Sequence, residues 1–351
     1  MSYLVHLASD INGAEWDRFV RCQKNGSYYH TWAWREVLNS RTNLKPLYLY
    51  VINESGQWLG VLPAFVITNL LGARIESLPF SMYGGIAAKE TGAAMALLQG
   101  LLQQAQDRRI NKIVVKSTQE DDLCLYEQLG FKNLQISTRT LLDISGEAEQ
   151  LWKQFPSMLK RQIKKAQKSL LKFEIITNEA QLAELYHLQL LTRKRQGLPT
   201  HSFEYYQQMF NVCYPENGFW GVLCRKGPIA VSGAIFFVSG ESLIYALGAS
   251  DFRFRSYCPN DFMFWETILW AKERGFKQLD FGGTGINHES LLAYKKKWGG
   301  VHIPYATFCF GGAESATGNS QLLKRLLNIF IRKIPISWAA RLGSFLIRLA
   351  G

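Results

Sequence analysis

The sequence predicts a mixed α/β protein, two successive units with mixed sheets followed by a basic helical tail. Three observations carry this. Strand-like runs and amphipathic helices alternate along both halves of the 351 residues, an order that layers helices on sheets. A helix and short strand at 93–109 and 112–116 return as 261–274 and 277–281. Identity between the halves is low, so what repeats is pattern. Beyond Ser320 the chain carries apolar and cationic residues and no acid.

In chain order, 47–52 and 58–67 read as strands around the turn Asn53-Glu54-Ser55-Gly56, and 79–85 as a loop. An amphipathic helix at 93–106 and a strand at 112–116 follow. Residues 150–173 read as one long basic helix, with Lys153, Lys160, Arg161, Lys164, Lys165, Lys168 and Lys172 and no acid. Its cations recur at three- and four-residue steps, so one face is a cationic stripe. That stripe is either a solvated surface or an anion-binding face. The apolar run 229–238 is too short to span a bilayer and reads as a buried strand. A strand at 243–248 leads through a basic loop into a helix with Phe262, Trp265, Ile268, Leu269 and Ala271 near helical period. Gly275 can stop it, and 276–281 is the next strand, ending in Asp280-Phe281-Gly282-Gly283. A last loop carries Tyr294, Lys295, Lys296, Lys297, Trp298 and Gly299.

The tail has an apolar face of Leu322, Leu323, Leu326, Leu327, Phe330, Ile331 and Ile334, restarting after Pro335 with Trp338, Leu342, Phe345, Leu346 and Leu349. Such basic amphipathic helices attach to membrane surfaces; packing on the body or on a partner are the other readings.

Hydrophobic content of 47% allows one large core or two ordinary ones. Net charge of +12 favours anionic partners: phosphate-bearing small molecules, RNA, or an acidic membrane surface. The six cysteines form no C-x-x-C pair, which excludes the usual zinc and disulfide frameworks and suits reduced thiols. Asn287-His288-Glu289 lacks further ligands, so no metal is expected. The first residues show no basic segment leading into an apolar one, so a cytoplasmic location is expected, with peripheral attachment to the inner membrane through residues 320–351.

Several of these segments resemble the Fem-type aminoacyl (peptidyl) transferases and their BioF2-like relatives, built on the GNAT acyltransferase fold. The family's strand ending "DFGG" stands here as 280–283, and its "fK..wG" as 294–299. Its "K.R..I.KA.K.G" helix appears as 160–168, with Ser169-Leu170 where glycine is frequent. Its "R.G.P" loop appears as Arg195 to His201, and Leu125-Tyr126-Glu127-Gln128-Leu129-Gly130-Phe131 resembles a GNAT helix end. The resemblance implies tandem GNAT-like domains at 1–145 and 146–318 with an amphipathic tail at 319–351. It implies acyl transfer, aminoacyl or acetyl, to an amine of a peptidoglycan, exopolysaccharide or other envelope precursor.

The same resemblance places the catalytic candidates at Lys295, to stabilise the oxyanion or grip phosphate, and Asp280, to orient the acceptor amine or cap the glycine turn. Arg161 and Lys164 are candidates for phosphate, and Arg195 and His201 for the acceptor cleft, with His201 a base or an ordinary hydrogen-bonding residue. Arg255, Tyr257 and Asn260 surround the entrance of the 261–274 helix, where Asn260 is a ligand or a cap. The donor is acyl-CoA or aminoacyl-tRNA. Residues 253–260 contain no glycine, so backbone cannot approach a coenzyme pyrophosphate closely there. The acceptor is an anionic small molecule or lipid-linked glycan. No coiled-coil arm is seen, which moves the expectation from tRNA toward the BioF2-like group and envelope glycans. A non-catalytic membrane scaffold of a polysaccharide-synthesis complex is the alternative.

Overall fold

A computed structural model describes residues 2–9, 11–41, 43–69, 72–117, 123–311 and 318–350. The side chains of 318–324, including Leu322 and Leu323, lie outside the described residues. In the first half, β1 (Leu4–Leu7), α1 (Gly13–Arg21), α2 (Trp32–Asn39), β2 (Leu44–Ile52), β3 (Trp58–Asn69), β4 (Gly72–Glu76) and β5 (Ala87–Ala88) lead to α3 (Thr91–Asp107). There follow β6 (Ile113–Ser117), α4 (Leu123–Gln128), β7 (Lys132–Asp143), α5 (Ala148–Gln154) and α6 (Ser157–Lys168). The second half runs β8 (Leu171–Ile175), α7 (Glu179–Gln196), α8 (Phe203–Cys213), β9 (Phe219–Lys226), β10 (Ile229–Ser239) and β11 (Ser242–Ser250). It closes with α9 (Pro259–Glu273), β12 (Gln278–Gly285), α10 (Glu289–Lys296), β13 (Val301–Phe310), α11 (Gly318–Lys333) and α12 (Ile336–Ala350).

All the described strands join one sheet, in the order β1-β2-β3-β4-β6-β13-β7-β12-β11-β10-β9-β8, with β5 beside β3. The order is symmetric in kind about its centre. On each side four antiparallel strands end in one parallel pair, β4 with β6 and β11 with β12. A parallel neighbour needs a crossover, and α3 and α9 supply it. The closing strands are exchanged: β13 pairs β6 of the first half, and β7 pairs β12 of the second. The pattern repeat in the sequence is therefore a repeat of topology.

The hydrophobic cores follow the exchange. Phe308 of β13 is fully buried among residues of the first half and stacks on Tyr126 at 4.3 Å between centroids. Leu142 of β7 is buried with Trp298 and Phe264 of the second half. A third cluster joins the halves, with Trp16, Trp34 and Tyr29 packed among Leu185, Phe237 and Tyr206. Tyr28 and Phe237 stack across it nearly parallel at 4.8 Å.

Three expectations are corrected. The basic segment 150–173 is two helices and a strand, because Pro156 follows Phe155 in extended conformation and stops α5. The 261–274 helix starts earlier, at Pro259 as its first helical residue, with Cys258 as its N-cap, so Asn260 lies inside the first turn and is no cap. The glycine pair does not end its strand; β12 runs through it to Gly285.

The exchange ties the halves into one folding unit. Urea unfolding followed by tryptophan fluorescence and by circular dichroism is expected to give one coincident transition. Two well-separated transitions would contradict the interleaving of β7 and β13.

Candidate functional site

The parallel strands β11 and β12 pair only from Ser242 opposite Gln278 to Ile244 opposite Asp280. They then part: β11 stays with β10 and β12 stays with β7. At the point of parting, β12 bulges between Asp280 and Gly283 against β7, a device that re-aims side chains. Gly282 has φ +73°, and a Cβ there would stand 2.7 Å from the Tyr245 carbonyl oxygen, so only glycine is tolerated. Asp280 Oδ1 accepts the Gly282 N–H at 2.8 Å. The Lys295 Nζ donates to the Gly282 carbonyl at 2.7 Å. One carboxylate and one ammonium thus hold the bulge residue by its two polar groups.

The first half completes this arrangement. Tyr83, from the loop after β4, donates its hydroxyl to the same Asp280 Oδ1 at 2.8 Å. Arg139 of β7 places its guanidinium carbon 5.6 Å from the Tyr83 ring centroid, and its Nε is buried with no protein acceptor. Burial raises the Asp280 carboxyl above the usual carboxylate range, opposed by the Tyr83 and Gly282 bonds and the charges of Arg139 and Lys295. Burial lowers Lys295 from 10.5 to about 8, opposed by Asp280. Asp280, Tyr83 and Arg139 line a cavity of ≈ 450 Å³ between the halves, together with Arg21 and Lys24.

A second cavity, of ≈ 360 Å³, is lined by Arg41, His201, Tyr205 and Arg348. The Arg41 guanidinium carbon sits 4.4 Å from the Phe80 centroid and 5.4 Å from that of Tyr205. His201 stacks on Tyr205 at 4.2 Å. Burial, then the charges of Arg41 and Arg193, lower His201 to about 3. The imidazole is neutral, and its Nδ1, 3.1 Å from Arg41 Nη1, accepts from that guanidinium. His201 therefore orients an arginine with the nitrogen a base would need. Phe80, on which Arg41 stacks, and Tyr83 of the first cavity belong to one loop.

The remaining sequence candidates lie elsewhere. Arg161 and Lys164 are exposed on α6, which packs against α9 and the 3-10 turn at Phe252–Tyr257. Arg255 and Arg195 place their guanidinium carbons 4.1 Å and 5.0 Å from the centroid of the exposed Phe252. Tyr257 carries the Lys226 ammonium at 5.3 Å, and Asn260 is exposed. At the start of α9, Asp261 pairs with Lys297 at 2.6 Å. The start of α3 is covered similarly, by Glu90 as N-cap hydrogen-bonded to Tyr3. Both crossover helices therefore carry a carboxylate at their start, although neither side chain bonds the first-turn N–H groups.

Lys295 and Asp280 come together at the bulge, His201 lies in the second cavity, and the other candidates form a cationic outer face. Tyr83, Arg139, Arg41 and Tyr205 were missed. The Tyr83 to Asp280 contact spans 197 positions, and the only local signal was a tyrosine beside Gly84-Gly85 in a loop. Among the described residues no cluster of His, Cys, Asp and Glu could hold a metal ion.

The acetyltransferase (GNAT) domain family matches residues 153–296. An 85-residue stretch is 39% identical to the lipid II:glycine glycyltransferase of Staphylococcus haemolyticus, covering 22% of this chain and 20% of that protein. The Staphylococcus aureus protein of the same description is 38% identical over 77 residues, 20% of this chain and 18% of its own. The matched stretch thus spans about a fifth of these curated relatives. In fold, the chain superposes on FemX with a TM-score of 0.73 at 18% identity, over 93% of this chain and 100% of FemX. A tandem GNAT protein from the clavulanic acid biosynthesis pathway gives 0.59 at 9% identity, over 90% and 100%. The family match places a GNAT domain at residues 153–296, and the superpositions bear out the expected tandem GNAT-like fold.

The lowered Lys295 has a consequence for stability. Between about 8 and its ordinary value the unfolded chain binds a proton the folded chain does not, so stability rises with pH there. Below about 8 the full cost of burying the charge is present. Urea unfolding of the parent and of Lys295→Met from pH 7 to about 10 should show the difference moving in favour of the parent as pH rises. A difference independent of pH would contradict the burial of a charged Lys295.

Proposed function

We propose that this chain transfers an aminoacyl group to an amine of an envelope precursor in the cleft between its halves. The observation that carries it is the bulge of β12, where Asp280, Tyr83 and Lys295 converge beside the cavity at the point where β11 and β12 part. The similarity to proteins described as lipid II:glycine glycyltransferases supports a lipid-linked muropeptide as acceptor. The two arginines of the second cavity, Arg41 and Arg348, suit its phosphates.

An aminoacyl ester such as that of a charged tRNA is favoured as donor over acyl-CoA. At the helix N-termini that would hold a coenzyme pyrophosphate stand the carboxylates of Asp261, paired with Lys297, and Glu90, bonded to Tyr3, whose charge disfavours an anion there. In the reaction the acceptor ammonium gives a proton to Asp280, whose raised basicity suits that role. The amine nitrogen then bonds to the ester carbonyl carbon, and the carbonyl electron pair moves onto its oxygen. Collapse of this intermediate breaks the bond to the ribose oxygen, which takes the proton that the attacking nitrogen sheds, and the neutral amide remains. Lys295 supplies positive field beside the oxyanion while holding the bulge in shape.

Purified protein incubated with radiolabelled glycyl-tRNA and lipid II should yield labelled lipid product. Asp280→Asn should lower the rate by about 10²–10⁴ with the fold intact. Transfer only from acyl-CoA would replace the donor, and transfer only to an amino-sugar glycan would replace the acceptor. Turnover unaffected by Asp280→Asn would remove the site, and no transfer with any of these pairs would leave the scaffold alternative.

A further inference from the structure

We infer that α11 and α12 form a face that docks onto an anionic lipid bilayer. The inference does not rest on the proposed chemistry. Both helices pack on α7. Ile331 and Ala339 are buried there, at 1% and 6% exposure. Gly343 lies so close to Thr200 that a Cβ would stand 2.6 Å from its backbone nitrogen. Lys194 donates to the Arg332 carbonyl at 2.9 Å, and Asn43 to that of Arg348 at 3.1 Å. The pair is held in place as a rigid element of the body.

The other side faces solvent with large apolar groups. Trp338 is 69% exposed, Phe345 57%, Phe330 55% and Leu326 55%. With 3.6 residues per turn, Trp338, Phe345 and Leu349 lie within about 40° of one another on α12, with Arg341 and Arg348 about 60–80° to one side. On α11, Lys333 lies on the same face as Leu326 and Phe330. No acidic residue follows Glu314. An apolar, aromatic stripe on helices that carry cations and no acid, with Glu204 of α8 near Arg348 at one border, matches an anionic headgroup layer over a hydrocarbon interior. A second copy would set like charges against each other. Neither helix is long and apolar enough to cross a membrane, so both lie in the interfacial plane. Arg348 and Ser344 of α12 also line the Arg41 cavity, so docking brings that cavity's rim to the headgroups.

The test is cosedimentation of the full chain with phosphatidylcholine vesicles, with and without phosphatidylglycerol. Binding should require phosphatidylglycerol and weaken as salt rises. Trp338→Ala with Phe345→Ala should lower the partition coefficient by about 10-fold or more, as should Lys333→Gln with Arg341→Gln. Circular dichroism and the unfolding midpoint, expected unchanged, show that the variants fold. No binding to anionic vesicles at low salt would overturn the inference, as would binding that both double variants retain. Light scattering that shows a dimer lost in Trp338→Ala with Phe345→Ala would assign the face to a second copy instead.

Discussion

A carboxylate buried at 3% exposure in the middle of a sheet is costly unless every contact it makes is favourable. Asp280 meets that condition through residues from both halves of the chain. Its Oδ1 receives the Gly282 N–H of its own strand and the Tyr83 hydroxyl of the other half, with Lys295 and Arg139 nearby as positive charge. The bulge of β12, the parting of β11 from β12 and the closure of the loop carrying Tyr83 all depend on this group being satisfied. Without Tyr83 the carboxylate would lose its link to the first half. Without the Asp280 acceptor, the Gly282 N–H would be left within a buried bulge.

The exchange of closing strands gives this interaction its setting. β7 and β13 lie side by side at the centre of the sheet and each completes the opposite half. The cleft between the halves is therefore bounded by strands that cannot drift apart independently, and its floor is rigid where the site sits. The paired crossover helices show the same economy. In each half the crossover helix carries a carboxylate at its start, Asp261 in the first turn of α9 and Glu90 at the N-cap of α3. The GNAT-like architecture is kept, while a negative charge stands at each place that would attract a pyrophosphate.

The fold was legible from the sequence because its signals are local. Strand and helix periodicity in 93–116 and 261–281 gave the parallel units and their repeat. The bulge was legible only as the pair Gly282-Gly283, whose place inside a continuing strand depends on β7, a partner about half the chain away in sequence. The basic segment 150–173 misled because its cations obscured the Phe155-Pro156 break. Lys295 and Asp280 were found through the resemblance. Tyr83, Arg139 and Arg41 were not, since each acts through a contact with the other half, and no spacing encodes that. His201 looked like a candidate base in sequence, but its partner is an arginine and not an acid.

The most direct measurement is a double-mutant cycle in unfolding free energy between Tyr83→Phe and Asp280→Asn. If the hydrogen bond between them joins the halves and completes the site, the two changes should couple by about 1–3 kcal/mol. Simple additivity, with both single variants near the parent in stability, would contradict the dependence of the bulge and its cleft on this buried carboxylate.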